Sequence, residues 1–430
     1  TLKGFRPMNI KMPFVLISAF LAGCAQQPTN SSEAVKLTQT KTDTSHWYRA
    51  TSIDFNPYTE DLPYFEDMIA AIDAIPDYNL NTLTIDFRCG EKPIIEEVTD
   101  DPQLPIDKTS GCAVRYFDND LITIAAERAH RNGLSVNLKP MFLNLQNKLW
   151  YKKGYEYGTL DIDVFFDGNG YPYSGYIPAI IALATHAEKI GAEYLTIGTE
   201  LTNLNYKILF SPRWPEIISS IRKVYSGKLI YNTNLAQEPT VKDFRKFDKF
   251  FSQIDIIGIN YFPPNALNGK RDATVKEISK AWYNGKSDGY RLVPMIIKMR
   301  KVTGKPIIMS ETSFPTWDGS ANWAFRHACD YKNKGKDGWM FNEGPLAAKT
   351  PSDRDGLDLA MAWHEAFGSA EWVDGVDYLF WTTSAQYYHR DPITDEFKDP
   401  NPDSSYWDCL SLLYNKNNGI KEVIRDFHTP

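Results

Sequence analysis

Three features that indicate metal, redox or dinucleotide chemistry are missing from this sequence. Its five cysteines form no C-x-x-C pair, which weakens a zinc or redox interpretation. The histidines His327, His364 and His389 show no metal-ligand spacing, so we assign no metal and expect no cofactor. No G-x-G-x-x-G follows the first predicted strand, which removes the commonest signature of a dinucleotide-binding sheet.

Positive charge and long apolar runs are also scarce. The net charge is −7, which argues against nucleic acid as a partner. An apolar run at residues 13–23 is too short for a comfortable membrane span. Basic residues precede this run, as in a signal peptide. Aromatic residues, in contrast, are plentiful at 13%, which suits both a large core and the stacking of sugar rings.

The apolar run ends in the motif L-A-G-C, residues 21–24. This motif resembles the bacterial lipobox, which implies cleavage before Cys24 and attachment of lipid to that residue. The alternative is an ordinary signal peptide with an incidental cysteine. Ala25 in place of Asp favours the outer membrane. We therefore expect a lipid-anchored protein of the bacterial cell envelope, on its periplasmic or surface face.

Three parts of the chain follow from this interpretation. Residues 1–23 are the predicted lipoprotein signal peptide, and residues 24–45 are a polar segment that reads as a flexible tether. Residues 46–430 are the predicted catalytic domain. Cys89, Cys112, Cys329 and Cys409 permit two disulfides in an exported protein, but three pairings are possible and four free thiols remain an alternative.

Strand-like and helix-like runs alternate from residue 46 onward. The predicted strands are residues 49–55, 81–88, 134–142, 192–201, 228–234, 254–262, 305–312 and 375–384. The predicted helices are residues 65–75, 121–133, 176–191, 211–227, 290–304 and 356–368, with Ser211 as the N-cap of the fourth. Eight strands, most of them followed by a helix, predict an α/β fold, a (β/α)8 TIM barrel with long βα loops in a single domain. A doubly wound open sheet is the alternative.

In such a barrel, the active site lies at the C-terminal ends of the strands. Glu200 ends the fourth predicted strand and Glu311 lies near the end of the seventh, so they face each other across the barrel. Two carboxylates flanking one bond are the machinery of glycoside hydrolysis, provided that their environments separate the two pKa values. Asn232 and Asn234 also end a predicted strand, but they are more simply polar residues of the rim.

The two glutamates at these strand ends resemble those of the clan A glycoside hydrolases. Within that clan, the motifs I-G-T-E-L, L-K-P and I-I-M-S-E-T are most similar to glycoside hydrolase family 113, whose known activity is β-mannanase. The resemblance implies Glu200 as acid/base and Glu311 as nucleophile of a retaining enzyme. Residues expected to contact substrate are Arg88, Lys139, Asn144, Thr199, Asn203, Asn260, Tyr261, Trp317 and Trp381.

One position departs from the clan pattern. Thr199 stands where many members have an Asn that contacts the sugar 2-hydroxyl, which leaves the choice of sugar open. The expected partner is a poly- or oligosaccharide, with a β-mannan favoured by the resemblance. A β-glucan, a xylan or another glycan is the first alternative. A surface lipoprotein that binds glycans without cleaving them is the second.

Overall fold

The computed structural model describes the folded part of the chain in separate segments. They are residues 44–55, 63–88, 121–141, 162–167, 175–199, 211–234, 250–260, 267, 270, 272–287, 290–315, 320–322, 352–382 and 419–429. Eight parallel strands close into a barrel in which neighbours follow chain order and the last strand pairs with the first. The strands are β1 (Tyr48–Phe55), β2 (Thr82–Arg88), β3 (Ser135–Met141), β4 (Tyr194–Thr199), β5 (Lys228–Asn234), β6 (Ile256–Asn260), β7 (Ile307–Thr312) and β8 (Gly375–Thr382). The predicted (β/α)8 barrel is confirmed.

Helices surround the barrel and cover its apolar outer face. They are α1 (Pro63–Ala74), α2 (Leu121–Arg131), α3 (Ile162–Asp167), α4 (Tyr176–Lys189), α5 (Trp214–Arg222), α6 (Val275–Asn284), α7 (Leu292–Thr303), α8 (Asp353–Phe367) and α9 (Ile420–His428). The outward residues of the strands and the inward residues of these helices form one continuous buried cluster. No helix in the described segments is long and apolar enough to cross a membrane.

The start of α5 differs from the prediction. Ser211 lies ahead of the helix, and Arg213 occupies the N-cap position without a side-chain cap. The Ser211 hydroxyl instead accepts a hydrogen bond from the Arg213 backbone N–H at 3.3 Å. Pro215, the second residue of α5, has no N–H to be capped, and its fixed φ suits the first turn of a helix.

The barrel interior changes from apolar to polar along the strands. Near their N-terminal ends, a small cluster of inward side chains forms an apolar floor: Tyr48, Ala50, Ile230, Ile256 and Ile308. Above this floor lie buried polar and charged side chains, including Thr84, Asp86, Asn137, Lys139, Thr196, Glu311 and Asp377. Burying such groups is unfavourable unless they are paired. Their contacts therefore indicate the position of a candidate functional site.

A buried hydrogen-bond chain fastens two helices to the outside of β8. His364 of α8 donates from Nδ1 to the Ala360 carbonyl at 2.8 Å, so its Nε2 accepts from the Tyr378 hydroxyl at 2.8 Å. His428 of α9 donates from Nε2 to the Tyr378 oxygen at 3.0 Å, and its Nδ1 accepts from the Thr44 hydroxyl at 3.3 Å. Burial lowers the pKa of both imidazoles, that of His364 to about 3. Both histidines are therefore neutral in the folded protein.

Acid is expected to weaken the fold through these histidines. An unfolded histidine binds its proton near pH 6.5, whereas folded His364 does so only near pH 3. Between these values the unfolded state holds more protons, so stability falls as the pH falls. For His364 alone, the free energy of unfolding should drop by about 2 kcal/mol between pH 8 and pH 5. Urea unfolding at both pH values should show a smaller drop for His364→Gln, and equal drops in the two proteins would contradict this account.

Candidate active site

Glu311 lies near the C-terminal end of β7 and faces the barrel interior. In the same strand, Ile307 and Met309 pack outward against the helices. Strict alternation would therefore turn Glu311 outward as well. The β6–β7 pairing shifts its register immediately before Asn260 pairs with Glu311, and this irregularity turns the Glu311 side chain inward. Such bulges commonly re-aim a side chain beside an active site.

The Glu311 carboxylate is paired with a buried ammonium. Lys139 Nζ lies 2.9 Å from Glu311 Oε1 and 3.3 Å from Asp86 Oδ1. Lys139 and Asp86 are fully buried, and Glu311 is only 4% exposed. Burial opposes the charge of Lys139, but the charges of Asp86, Glu311 and Asp377 outweigh it and raise the pKa of Lys139. The ammonium therefore stays charged and stabilises the negative charge on Glu311.

Thr199 ends β4, one position before Glu200 in the sequence, and pairs with Asn232 of β5. Both residues are buried. Within the described segments, neither Thr199 Oγ1 nor Asn232 Oδ1 has a hydrogen-bond partner. An unpaired buried polar atom costs about 1–3 kcal/mol, and a sugar hydroxyl would satisfy it. The β4–β5 register also shifts between Thr196 and Thr199, as the β6–β7 register does beside Glu311.

Gly258 of β6 makes room for polar side chains below Glu311. A Cβ at this position would lie 2.0 Å from Asn232 Oδ1 and 2.7 Å from Ser310 Oγ. The Ser310 hydroxyl donates to Asn260 Oδ1 at 2.7 Å, which fixes the orientation of the Asn260 amide. Asn260, one of the predicted substrate-binding residues, is thereby held next to Glu311.

A chain of hydrogen bonds crosses the barrel one layer below this ion pair. Thr196 donates to Asn137 Oδ1 at 3.1 Å, and Asn137 Nδ2 donates to the Tyr48 oxygen at 3.1 Å. The Tyr48 hydroxyl lies 3.0 Å from Thr84 Oγ1, which itself donates to Asp377 Oδ2 at 2.7 Å. Because the Thr84 hydroxyl donates its hydrogen to Asp377, the Tyr48 hydroxyl donates to Thr84. The donors therefore run through β4, β3, β1 and β2 to a single acceptor on β8.

Asp377, the last acceptor of this hydrogen-bond chain, has a raised pKa. Burial raises the pKa of Asp377 to about 7, although Lys139 and the Thr84 hydrogen bond oppose the rise and Glu311 adds to it. Burial, together with the charge of Asp377, also raises the pKa of Tyr48. Asp377 is thus electrostatically linked to the ion pair above it.

Of the predicted site residues, the structure brings Lys139 to Glu311 and places Asn260 and Thr199 at the same end of the barrel. Arg88 ends β2 and Trp381 is the penultimate residue of β8, but their side chains lie outside the described part. Asn144, Glu200, Asn203, Tyr261, Trp317 and Cys24 lie outside it altogether, as do Cys89, Cys112, Cys329 and Cys409. Their predicted roles stay predictions.

Two residues of the site were not predicted, Asp86 and Asp377. A signal for Asp86 exists in β2, where the polar residues Thr82, Thr84 and Asp86 alternate with apolar ones. In a strand that helices cover on its outer face, this alternation indicates a polar barrel interior. Lys139 was predicted as a contact for substrate hydroxyls, and the structure adds a second role as the cationic partner of Glu311.

Comparison with known proteins gives the family of the chain. The model of Glycoside Hydrolase Family 113 matches residues 113–343, more than half of the chain. The chain belongs to glycoside hydrolase family 113. It is therefore a glycoside hydrolase, and its substrate is a glycan. A search of curated protein sequences gave no match.

Solved structures of family 113 enzymes share the fold. A complex of a GH113 β-1,4-mannanase superposes with a TM-score of 0.56 at 15% identity, covering 89% of this chain and 99% of that one. The GH113 β-mannanase AaManA from Alicyclobacillus acidocaldarius, in complex with ManMIm, gives a TM-score of 0.52 at 17% identity, covering 90% and 99%. At these identities the likeness concerns the fold.

Within the described segments, no group of three His, Cys, Asp or Glu residues could hold a metal ion.

Proposed function

We propose that this family 113 protein is a retaining hydrolase of a β-mannan, with Glu311 as nucleophile and Glu200 as acid/base. The observation that carries the proposal is the inward-facing Glu311 carboxylate, 2.9 Å from the buried Lys139 ammonium at the C-terminal end of the barrel. A carboxylate paired with a buried cation is suited to attack an anomeric carbon.

The reaction then proceeds in two steps. In the first, Glu311 forms a bond to the anomeric carbon, the glycosidic bond breaks, and the leaving oxygen takes a proton from Glu200. In the second, Glu200 removes a proton from water, the water oxygen attacks the anomeric carbon, and Glu311 leaves as a carboxylate. Retention of configuration requires the two carboxyl groups to lie roughly 5–5.5 Å apart.

The mannan assignment is supported by the family and by the two solved family 113 structures compared above, both of β-mannanases. Two polar groups of the site support mannose over glucose as the sugar that is bound. Thr199, which precedes the predicted acid/base in the sequence, and Asn232 present two buried oxygens without partners in the described segments. Mannose differs from glucose in its axial 2-hydroxyl, and we propose that Thr199 helps to recognise that group in place of the usual Asn.

Wild-type protein is expected to release manno-oligosaccharides from β-mannan and glucomannan, and little or nothing from xylan or β-glucans. A hydrophobic pocket distinguishes close analogues poorly, whereas hydrogen bonds to a hydroxyl discriminate strongly, by about 10⁴-fold in favourable cases. Chromatography of the products from this panel tests the expectation. Cleavage of another glycan would overturn the mannan assignment and keep the glycosidase. Binding to every glycan without cleavage would support the non-catalytic alternative.

We further propose that the protein is anchored to the bacterial envelope, favouring the outer membrane, through lipid on Cys24. The support is the basic and apolar segment that ends in the L-A-G-C motif. Replacing Cys24 by Ser should abolish labelling by a radioactive fatty acid and move the protein to the soluble fraction, because each buried methylene of a lipid chain contributes about 0.8 kcal/mol to membrane binding. Retained labelling and membrane association in this variant would contradict the proposed anchor.

A further inference from the structure

In the described part of the barrel interior, three carboxylates share one ammonium. Asp86 and Glu311 contact Lys139 directly. Asp377 lies one layer deeper, because its partner Thr84 precedes Asp86 by two residues on β2, a rise of about 7 Å. Its charge nevertheless acts on both Lys139 and Glu311. With Asp377 neutral the group carries a net charge of one negative unit, and with Asp377 ionised it carries two.

The contacts of Asp377 favour the neutral acid. Oδ2 accepts one hydrogen bond, from Thr84, and Oδ1 has no hydrogen-bond partner in the described segments. A buried carboxylate normally needs two or three donors or an adjacent cation to stay ionised. The titratable groups that surround Asp377 on neighbouring strands are Tyr48, Asp86, Lys139 and Glu311, with Tyr194 packed against Tyr48. Of these, only Lys139 favours its ionisation.

We propose that Asp377 is a positioning residue, which must carry a proton for Lys139 to hold Glu311 in its working arrangement. The inference rests on the proposed role of Glu311 as nucleophile. When Asp377 loses its proton, the new negative charge attracts the Lys139 ammonium away from Glu311 and repels Glu311 itself. Activity therefore falls as the pH rises through the ionisation of Asp377, since the raised pKa places the protonated form on the acid side.

The pH dependence of kcat/KM tests the proposal in three proteins. The probe is dinitrophenyl β-mannobioside, whose leaving group needs no proton, so that the ionisation of Glu200 does not limit the first step. Wild type should lose activity above neutral pH. Asp377→Asn cannot ionise, and Thr84→Val lacks the donor that stabilises ionised Asp377, so both should move this loss upward by at least about one pH unit. Asp272→Asn, at an exposed position, is the matched control and should not move it.

Infrared spectroscopy detects the proton on the Asp377 carboxyl directly, and the measurement does not depend on activity. In the wild-type minus Asp377→Asn difference spectrum, the carbonyl band of a protonated carboxylic acid should be present at pH 6 and absent at pH 9. In Thr84→Val the corresponding band should persist to higher pH. No such band in the difference spectrum, or pH profiles of both variants that superimpose on that of wild type, would overturn the proposal.

The two proposals fail in different ways. If the Asp377 band titrates but Glu311→Gln retains activity, the assignment of Glu311 as nucleophile is wrong. The assigned ionisation of Asp377 is then unaffected. If Glu311→Gln is inactive but the pH profile of Asp377→Asn is unchanged, Asp377 has only a structural role and the assignment of Glu311 stands.

Discussion

Replacing Glu311 by Gln is expected to lower kcat on mannan by at least about 10⁴-fold, because a carboxamide cannot form the glycosyl-enzyme. The fold should survive, since Gln preserves the shape of the side chain and can still accept a hydrogen bond from Lys139. Product release from mannan, measured beside the thermal unfolding of the same sample, checks both statements. Glu216→Gln, at an exposed position on α5, is the matched control and should be fully active.

Azide can then assign the two glutamates to their roles. In Glu311→Ala, azide should occupy the vacated space and attack the anomeric carbon, giving an α-glycosyl azide from a β-linked substrate with a good leaving group. In Glu200→Ala, azide should attack the glycosyl-enzyme on Glu311 and give the β-glycosyl azide. The opposite pairing of product and variant would exchange the two roles. Wild-type activity in either variant would remove that residue from the mechanism.

Replacing Lys139 by Met is expected to cause the second largest loss. The substitution leaves Glu311 and Asp86 as neighbouring buried carboxylates without their cation. Removing one partner of a buried ion pair costs about 3–5 kcal/mol of stability. Loss of the preorganised charge beside the nucleophile should lower kcat by about 10²-fold or more. Urea unfolding and product release measure the two effects, and Lys276→Met, at an exposed position on α6, is the control.

A double-mutant cycle separates the ion pair from general damage to the barrel. Asp86→Asn removes one of the two carboxylates that Lys139 contacts. In the protein that carries both substitutions, fewer charges are left unpaired, so the loss of stability should be smaller than the sum of the two single losses by at least about 1 kcal/mol. Additive losses would mean that the contact between Lys139 and Asp86 contributes no electrostatic stabilisation, and the pairing of these two residues would be wrong.

The barrel could be predicted from sequence because the strands are short apolar or β-branched runs, most of them followed by a helical pattern. Elements with weaker patterns were missed. The helix α6 and the two-residue hairpin of Lys286–Ser287 with Tyr290–Arg291 lie between β6 and α7, where no element was predicted. The helix α9 was missed too, and its place on the barrel depends on the contact of His428 with Tyr378, far apart in the sequence.

The site could be predicted only in part, for a physical reason. A position near a strand end suggested that Glu311 reaches the barrel mouth, but alternation from Ile307 and Met309 would turn its side chain outward. The register shift between β6 and β7 reverses that direction, and no residue pattern in the sequence indicates this shift. The pairing of Lys139 with Glu311 joins β3 to β7 across the barrel interior, so it depends on closure and register together.

The most direct test of the account is to trap the covalent intermediate. A mannobiosyl fluoride with fluorine at C2 should form a glycosyl-enzyme that hydrolyses slowly, because the fluorine destabilises the oxocarbenium-like transition state of both steps while the reactive leaving group keeps the first step accessible. Peptide mass spectrometry of the inactivated protein then locates the sugar. We expect one sugar on the peptide that contains Glu311 and none in Glu311→Gln. A sugar on another residue of the inactivated wild-type protein would contradict this expectation.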